Sequence, residues 1–124
     1  MTDHFDYVME YVDKATDKYF SNGLTALNHQ DIVILSIWQL EAEVNNGGFN
    51  QYYWNSSGEL ANEVVTSLVE IGAKETASIV KAANANFPNS DPPKDREMRQ
   101  DILEILEGSG TLKLDSLDDE FYEY

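Results

Sequence analysis

Two interleaved periodicities run through the first twenty residues. Phe5, Val8, Val12, Ala15 and Tyr19 recur at spacings of three and four, the apolar stripe of an amphipathic helix over residues 3–20. Asp3, Asp6, Glu10, Asp13 and Asp17 recur in the same way. At 100° per residue they form a second stripe roughly 130° from the first, so a helix keeps the two sets apart. Like charges so spaced repel, at about 0.2–0.5 kcal/mol per pair. The dipole at the helix N-terminus offsets this for the first members, and Lys14 can pair with Glu10 and Asp17. Asp6 and Asp13 have no such compensation.

The same imbalance governs the whole chain. Twenty-three Asp and Glu face eight Lys and Arg, a net charge of −15, roughly twice what serves solubility in a small domain. Self-repulsion of that size works against the compact state. No Lys or Arg lies between Lys18 and Lys74, a span that holds Asp31, Glu41, Glu43, Glu59, Glu63 and Glu70. Asp115, Asp118, Asp119, Glu120 and Glu123 follow near the C-terminus without a cation among them. Yet 42% of the residues are hydrophobic and 11% aromatic, too apolar for a disordered acidic tail. The chain is expected to fold as a single domain over residues 1–124.

The remaining pattern predicts an all-α bundle of about six helices. Asn28 with Asp31 reads as an N-cap and an acidic first turn. Ile32 to Val44 is apolar nearly all round at first. Its β-branched run is compatible with a strand, but the pattern outlasts strand length and stops at Asn46-Gly47-Gly48, which favours a central helix. A short helix over Phe49 to Ser57, a longer one over Leu60 to Ile71 and another over Lys74 to Phe87 come next. Pro93 then begins a helix to about Glu107. Thr111 to Asp115 is ambiguous, and Leu117 to Tyr122 is expected to be a last helical turn. On the helix from Leu60, the acids Glu59, Glu63 and Glu70 cluster opposite Leu60, Val64, Leu68 and Ile71.

The most unusual local sequence runs from Glu41 to Gly58. Glu41 and Asn45 lie four apart, and Gln51 and Asn55 repeat that spacing. A structural reading puts Gly47 or Gly48 at positive φ in a sharp helix-to-helix turn. Asn45, Gln51 and Asn55 then satisfy backbone groups that the turn exposes. A functional reading makes the same amides a small polar pocket for a ligand. Amides supply hydrogen bonds but no titrating group.

The run Glu43-x-Asn45-Asn46-Gly47-Gly48-Phe49-x-Gln51-Tyr52-Tyr53-x-Asn55-Ser56-Ser57-Gly58 resembles the hallmark of a bacterial family of small proteins, largely of unknown function, whose named representative is a DNA mimic. Phe87-Pro88, Arg99 and Leu117-Asp118-Asp119-x-Phe121-Tyr122 echo the same family. The resemblance implies an all-helical homodimer whose acidic surface occupies the DNA-binding region of a transcription factor and keeps it from its operator. The hallmark itself holds few acids. Mimicry therefore rests on the stripes outside it, with Asp3, Asp6, Glu10, Asp13, Asp17, Glu59, Glu63 and Glu70 expected to stand in for phosphates toward a basic helix-turn-helix regulator.

Other chemistries find little to work with. The absence of cysteine excludes disulfides, thiolate metal sites and a cysteine nucleophile. His4 and His29 have no serine or carboxylate at helical spacing, and Glu41 and Glu43 point to different faces. Asp118-Asp119-Glu120 lacks the glycine turn of a calcium loop. No catalytic residue, metal or cofactor is therefore expected. The apolar cluster Ile32 to Leu35 is far too short to cross a bilayer, and Met1-Thr2-Asp3-His4 opens no signal peptide, so a cytoplasmic protein is expected. The charge repels nucleic acid and anionic lipid and favours basic partners. Two alternatives stay open: an immunity-type inhibitor of a basic nuclease, and a ligand-binding domain built on the polar junction.

Overall fold

Asn28 and Asp31 start the element on which the others are assembled. The Asn28 side chain accepts from the Asp31 amide at 2.8 Å, and the Asp31 carboxylate accepts from the Asn28 amide at 3.0 Å, a reciprocal cap that satisfies two donors at once. The computed structural model describes the backbone of residues 2–124 and the side chains of residues 8–124. In chain order the helices are α1 (Thr2–Asn22), α2 (His29–Trp54), α3 (Ala61–Glu70), α4 (Lys74–Asn84), α5 (Arg96–Gly108) and α6 (Asp115–Glu123). Short 3-10 turns cover Leu24–Ala26, Ser56–Leu60 and Pro88–Ser90, and no strand occurs among the described residues. The expected all-α class and the six helices are thus present.

The hub is α2, which packs against α1, α3, α5, α6 and the Ser56–Leu60 turn. Its second half carries the core aromatics. Phe49, Tyr52 and Tyr53 are fully buried with Phe87 and Phe121 beside them. Phe49 meets Phe121 edge to face at 5.7 Å, and Tyr53 meets Phe87 at 4.9 Å. Such pairs contribute about 0.5–1.5 kcal/mol each beyond their buried area. The Tyr53 hydroxyl donates to Asn84 Oδ1 at 2.5 Å, and Asn84 Nδ2 donates to the Ala61 carbonyl at 2.9 Å, tying α4 to α2 and α3. A second cluster of Ala15, Tyr19, Leu27, Leu35 and Leu60 holds α1 to α2.

Several boundaries differ from those the sequence suggests. The helix expected from Pro93 begins at Arg96, because Asp95 caps it by accepting the Met98 amide at 3.0 Å. α4 ends at Asn84 rather than Phe87, since Asn86 and Phe87 bond back to Ala83 and Asn84 in tight turns. The last turn expected over Leu117 to Tyr122 is a full helix, Asp115–Glu123.

Candidate functional site

The regular geometry of an α-helix fails at two residues inside α2. Gly47 leaves the helical region at φ −154° and ψ 17°, and Gly48 takes φ 78°, a positive value that glycine adopts without steric cost. Such a break frees amides after it and carbonyls before it. Both are met by α6. Asp118 accepts the Phe49 amide at 2.8 Å, and the Tyr122 hydroxyl donates to the Val44 carbonyl at 3.0 Å, while Phe121 packs on Phe49 between them. Burial raises the Asp118 pKa. The Phe49 amide opposes that rise, and the neighbouring Asp115 and Asp119 add to it.

The junction amides do something other than expected. Gln51 Nε2 and Asn55 Nδ2 donate to Glu43 Oε2 at 2.6 and 3.0 Å, bridging the break on its polar side, and Asn46 reaches Gln51 Oε1 at 3.4 Å. They bond to a carboxylate, while α6 meets the Phe49 amide and the Val44 carbonyl. Asn45 instead lines an apolar groove. Tyr52 is buried in the core.

Arg99 closes the far end of α2. It is fully buried, and its guanidinium donates to the carbonyls of Tyr53 at 2.6 Å, Asn55 at 2.7 Å, Pro93 at 2.9 Å and Lys94 at 3.1 Å. Burial lowers its pKa, though an arginine side chain stays charged in proteins. A Cβ at Gly58 would collide with this guanidinium, so the glycine of the hallmark makes room for the arginine.

The acids singled out by sequence are in unlike situations. On α1, Asp13 and Asp17 are exposed, and Glu10 pairs with Lys14 at 3.2 Å. The side chains of Asp3 and Asp6 lie outside the described residues. On α3 and the turn before it the expectation of unopposed charge fails. Glu63 pairs with Lys94 at 2.7 Å, Glu70 pairs with His29 at 2.8 Å, and Glu59 accepts the Tyr19 hydroxyl. The span is free of Lys and Arg in sequence but not in space, because its partners come from α1, the start of α2 and the loop before α5. Asp31 is likewise buried against Lys18 at 2.8 Å. Burial works against its charge, but Lys18 and the Asn28 amide hold its pKa below the ordinary aspartate value.

Sequence reasoning missed the outer face of α5. Glu97, Asp101, Glu104 and Glu107 are exposed there, and on α6 so are Asp115, Asp119, Glu120 and Glu123. None of them belongs to an ion pair among the described residues. The three-and-four spacing of Glu97, Asp101 and Glu104 was the available signal. Arg96 and Arg99 in the same helix masked it. Both turn toward α2: Arg96 donates to the Trp54 carbonyl at 3.1 Å, and Arg99 is buried as described.

A groove of about 560 Å³ runs between α1 and α2, lined by Val8, Val12, Ile34, Ile37, Trp38 and Ile71 among others, with Glu41 as its one charged residue. The apolar residues of Ile32 to Leu40 run nearly all round the helix because Leu35 and Leu40 meet the core and Val33, Ile34, Ile37 and Trp38 line this groove. Among the described residues no helix is long and apolar enough to cross a membrane, and no group of three His, Cys, Asp or Glu could hold a metal ion.

A family model described as DMP19-like protein matches residues 25–124. No curated protein and no solved structure matches the chain. The matched span contains the α2 break, Asp118, Arg99 and the acids of α5 and α6, and it leaves all of α1 outside. The family is that of DNA mimic protein 19, so mimicry of DNA is the function that membership suggests. With the match covering everything from the turn after α1 to the last residue, the chain belongs to the DMP19-like protein family.

Proposed function

We propose that this chain is a cytoplasmic DNA mimic that binds the basic DNA-binding surface of a transcription factor, a helix-turn-helix regulator, and blocks operator binding. The observation that carries this is the state of the cations. Lys18, Lys94, Arg96 and Arg99 are engaged with groups of the chain itself, whereas Asp13 and Asp17 of α1, Glu97, Asp101, Glu104 and Glu107 of α5, and Asp115, Asp119, Glu120 and Glu123 of α6 are exposed and belong to no ion pair among the described residues, with Lys113 as the cation beside Glu107 and Asp115. Such a surface attracts a cationic partner at long range and repels nucleic acid. Asp13 and Asp17 remain in the contact surface, with Asp3, Asp6 and Glu10 on the same helix. Glu59, Glu63 and Glu70 contribute less, since their charge is partly met within the fold. We assign no catalytic step, cofactor or membrane contact.

The 124 residues act as one domain in this reading, and two copies pair through the apolar groove. A chain of net charge −15 can approach its own copy most cheaply where charge is sparse, and the groove has a single acid along its lining. The polar junction serves the fold in this reading, since Gln51 and Asn55 are occupied with Glu43.

A pull-down with the purified chain from its native cytoplasm, at low and at high salt, tests the reading. Recovery of a DNA-binding regulator at low salt only is expected. Recovery of a nuclease would replace the regulator with a toxin, and recovery of no basic protein at either salt would end the reading.

A further inference from the structure

We propose that the partner docks on α5 and α6, with Met98 and Ile105 as its apolar anchor and the flanking carboxylates as its charge, and that the occupant is a cationic protein surface. This rests on the mimic reading and assigns the face that performs it.

Met98 and Ile105 are 57% and 68% exposed. Seven residues apart, they stand on one line of the helix, about 10 Å from each other. Single exposed apolar side chains are common, but here two project from the same side of a helix whose opposite side already buries Arg99 and Leu103. Glu97, Asp101 and Glu104 border them, all exposed. The result is an apolar line with a row of acids along one side of it, apolar and charged contacts side by side as in a protein-binding patch.

The charge continues beyond α5. Glu107 and Asp115 wall one cleft of about 360 Å³, with Lys113 as the sole cation on its lining. Asp115, Asp119 and Glu123 then follow at spacings of four along exposed positions of α6. From Glu97 to Glu107 the α5 acids extend about 15 Å, between four and five phosphate spacings of one DNA strand.

Charge complementarity selects the occupant. A second copy of this chain, a nucleic acid and an anionic lipid surface are all repelled by that row of acids. A metal ion or a small polycation would use the carboxylates but has no use for Met98 and Ile105. A basic protein surface uses both. In that complex the carboxylates set the rate of encounter, and the desolvated anchor sets the lifetime. The position fits the family match as well, which includes α5 and α6 and excludes α1.

The test uses full-length chain against a panel of purified helix-turn-helix DNA-binding domains, with association and dissociation rates measured at two salt concentrations. Met98→Ala with Ile105→Ala is expected to raise the dissociation rate about tenfold and leave the salt dependence unchanged. Glu97→Gln with Asp101→Asn and Glu104→Gln is expected to lower the association rate about tenfold at low salt and to flatten its salt dependence. Asp13→Asn with Asp17→Asn, elsewhere on the contact surface, should lower the association rate by less than the α5 charge variant does and leave the dissociation rate unchanged. Loss of binding in the α1 variant with both α5 variants intact would overturn the assignment and leave the mimic reading standing. A fall in the sedimentation coefficient of the isolated Met98→Ala, Ile105→Ala chain would give the face to a second copy and overturn it too. If no domain in the panel binds the unaltered chain, the mimic reading fails and takes this inference with it.

Discussion

The carboxylate of Asp118 on α6 accepts the backbone amide of Phe49 at 2.8 Å, across 69 positions of sequence, and thereby caps the second half of a helix to which it does not belong. An ordinary N-cap comes from the residue just before the helix. Gly48 sits in that place and has no side chain to offer, and a Cβ there would press against the Asp118 carboxylate. The glycines and the aspartate are therefore one device: the chain breaks so that α2 can redirect its aromatics into the core, and the C-terminal helix repairs the break.

Asp118→Ala should lower stability by about 0.5–2 kcal/mol, the usual cost of a lost cap, and the melting temperature by several degrees. Asp118→Asn keeps an acceptor and sheds a desolvated charge, so it should melt close to or above the parent at pH 7. The folded pKa of Asp118 is raised, chiefly by burial. A raised pKa means that the folded state holds the proton more tightly than the unfolded chain, so the parent gains stability as pH falls. Any advantage of the Asn variant should shrink on acidification through that raised value toward the ordinary aspartate value. Paired thermal melts between pH 7 and pH 3 read this out, and an advantage that grows on acidification would contradict the assignment.

Arg99 joins the end of α2 to the start of α5 through four carbonyls. Arg99→Met should cost about 3 kcal/mol or more, because hydrogen bonds to a charged group are among the stronger ones and their buried acceptors would be orphaned. Arg99→Lys cannot reproduce the planar fork and should recover only part of the loss. Gly58→Ala, which crowds the guanidinium, should destabilise in the same direction. Urea midpoints that fall with the slope unchanged would confirm this, and a neutral Arg99→Met would refute it.

Periodicity and capping are local, and they were legible: the stripe of α1, the Asn28–Asp31 cap and the interruption at Gly47-Gly48 follow from residues within one or two turns of each other. What pairs with the exposed acids is not local. Glu63 meets Lys94 across 31 positions and Glu70 meets His29 across 41, so a cation-free span in sequence said little about charge in space. The reverse error hid α5. Arg96 and Arg99 look like compensation for Glu97, Asp101 and Glu104 until the fold turns them toward carbonyls, and nothing in their spacing announces that turn.

The α3 acids provide a control. Glu63→Gln with Glu70→Gln should leave capture of a basic partner within about twofold, because these carboxylates already face Lys94 and His29. Stability should fall by no more than about 1 kcal/mol, as for other exposed pairs. Binding titrations compared with the parent chain decide it; a large loss of affinity would return α3 to the contact surface.

Groove substitutions separate assembly from capture. Ile71→Glu with Trp38→Glu places charge where two copies are proposed to meet, and both side chains are exposed, at 57% and 40%, so the fold should persist. Sedimentation should then report a monomer at concentrations where the parent is a dimer. A monomeric parent, or a dimer unaffected by the two glutamates, would place the contact elsewhere or remove it.

The central claim is that outward carboxylates take the place of phosphates, and displacement of duplex DNA tests it most directly. The regulator recovered by pull-down is loaded with a labelled operator duplex, and the chain is titrated in at rising salt. Release of the duplex with a one-to-one loss of regulator–DNA complex, weakening steeply as salt increases, is the predicted result. A ternary complex in which chain and duplex are held together, or release that ignores salt, would contradict it.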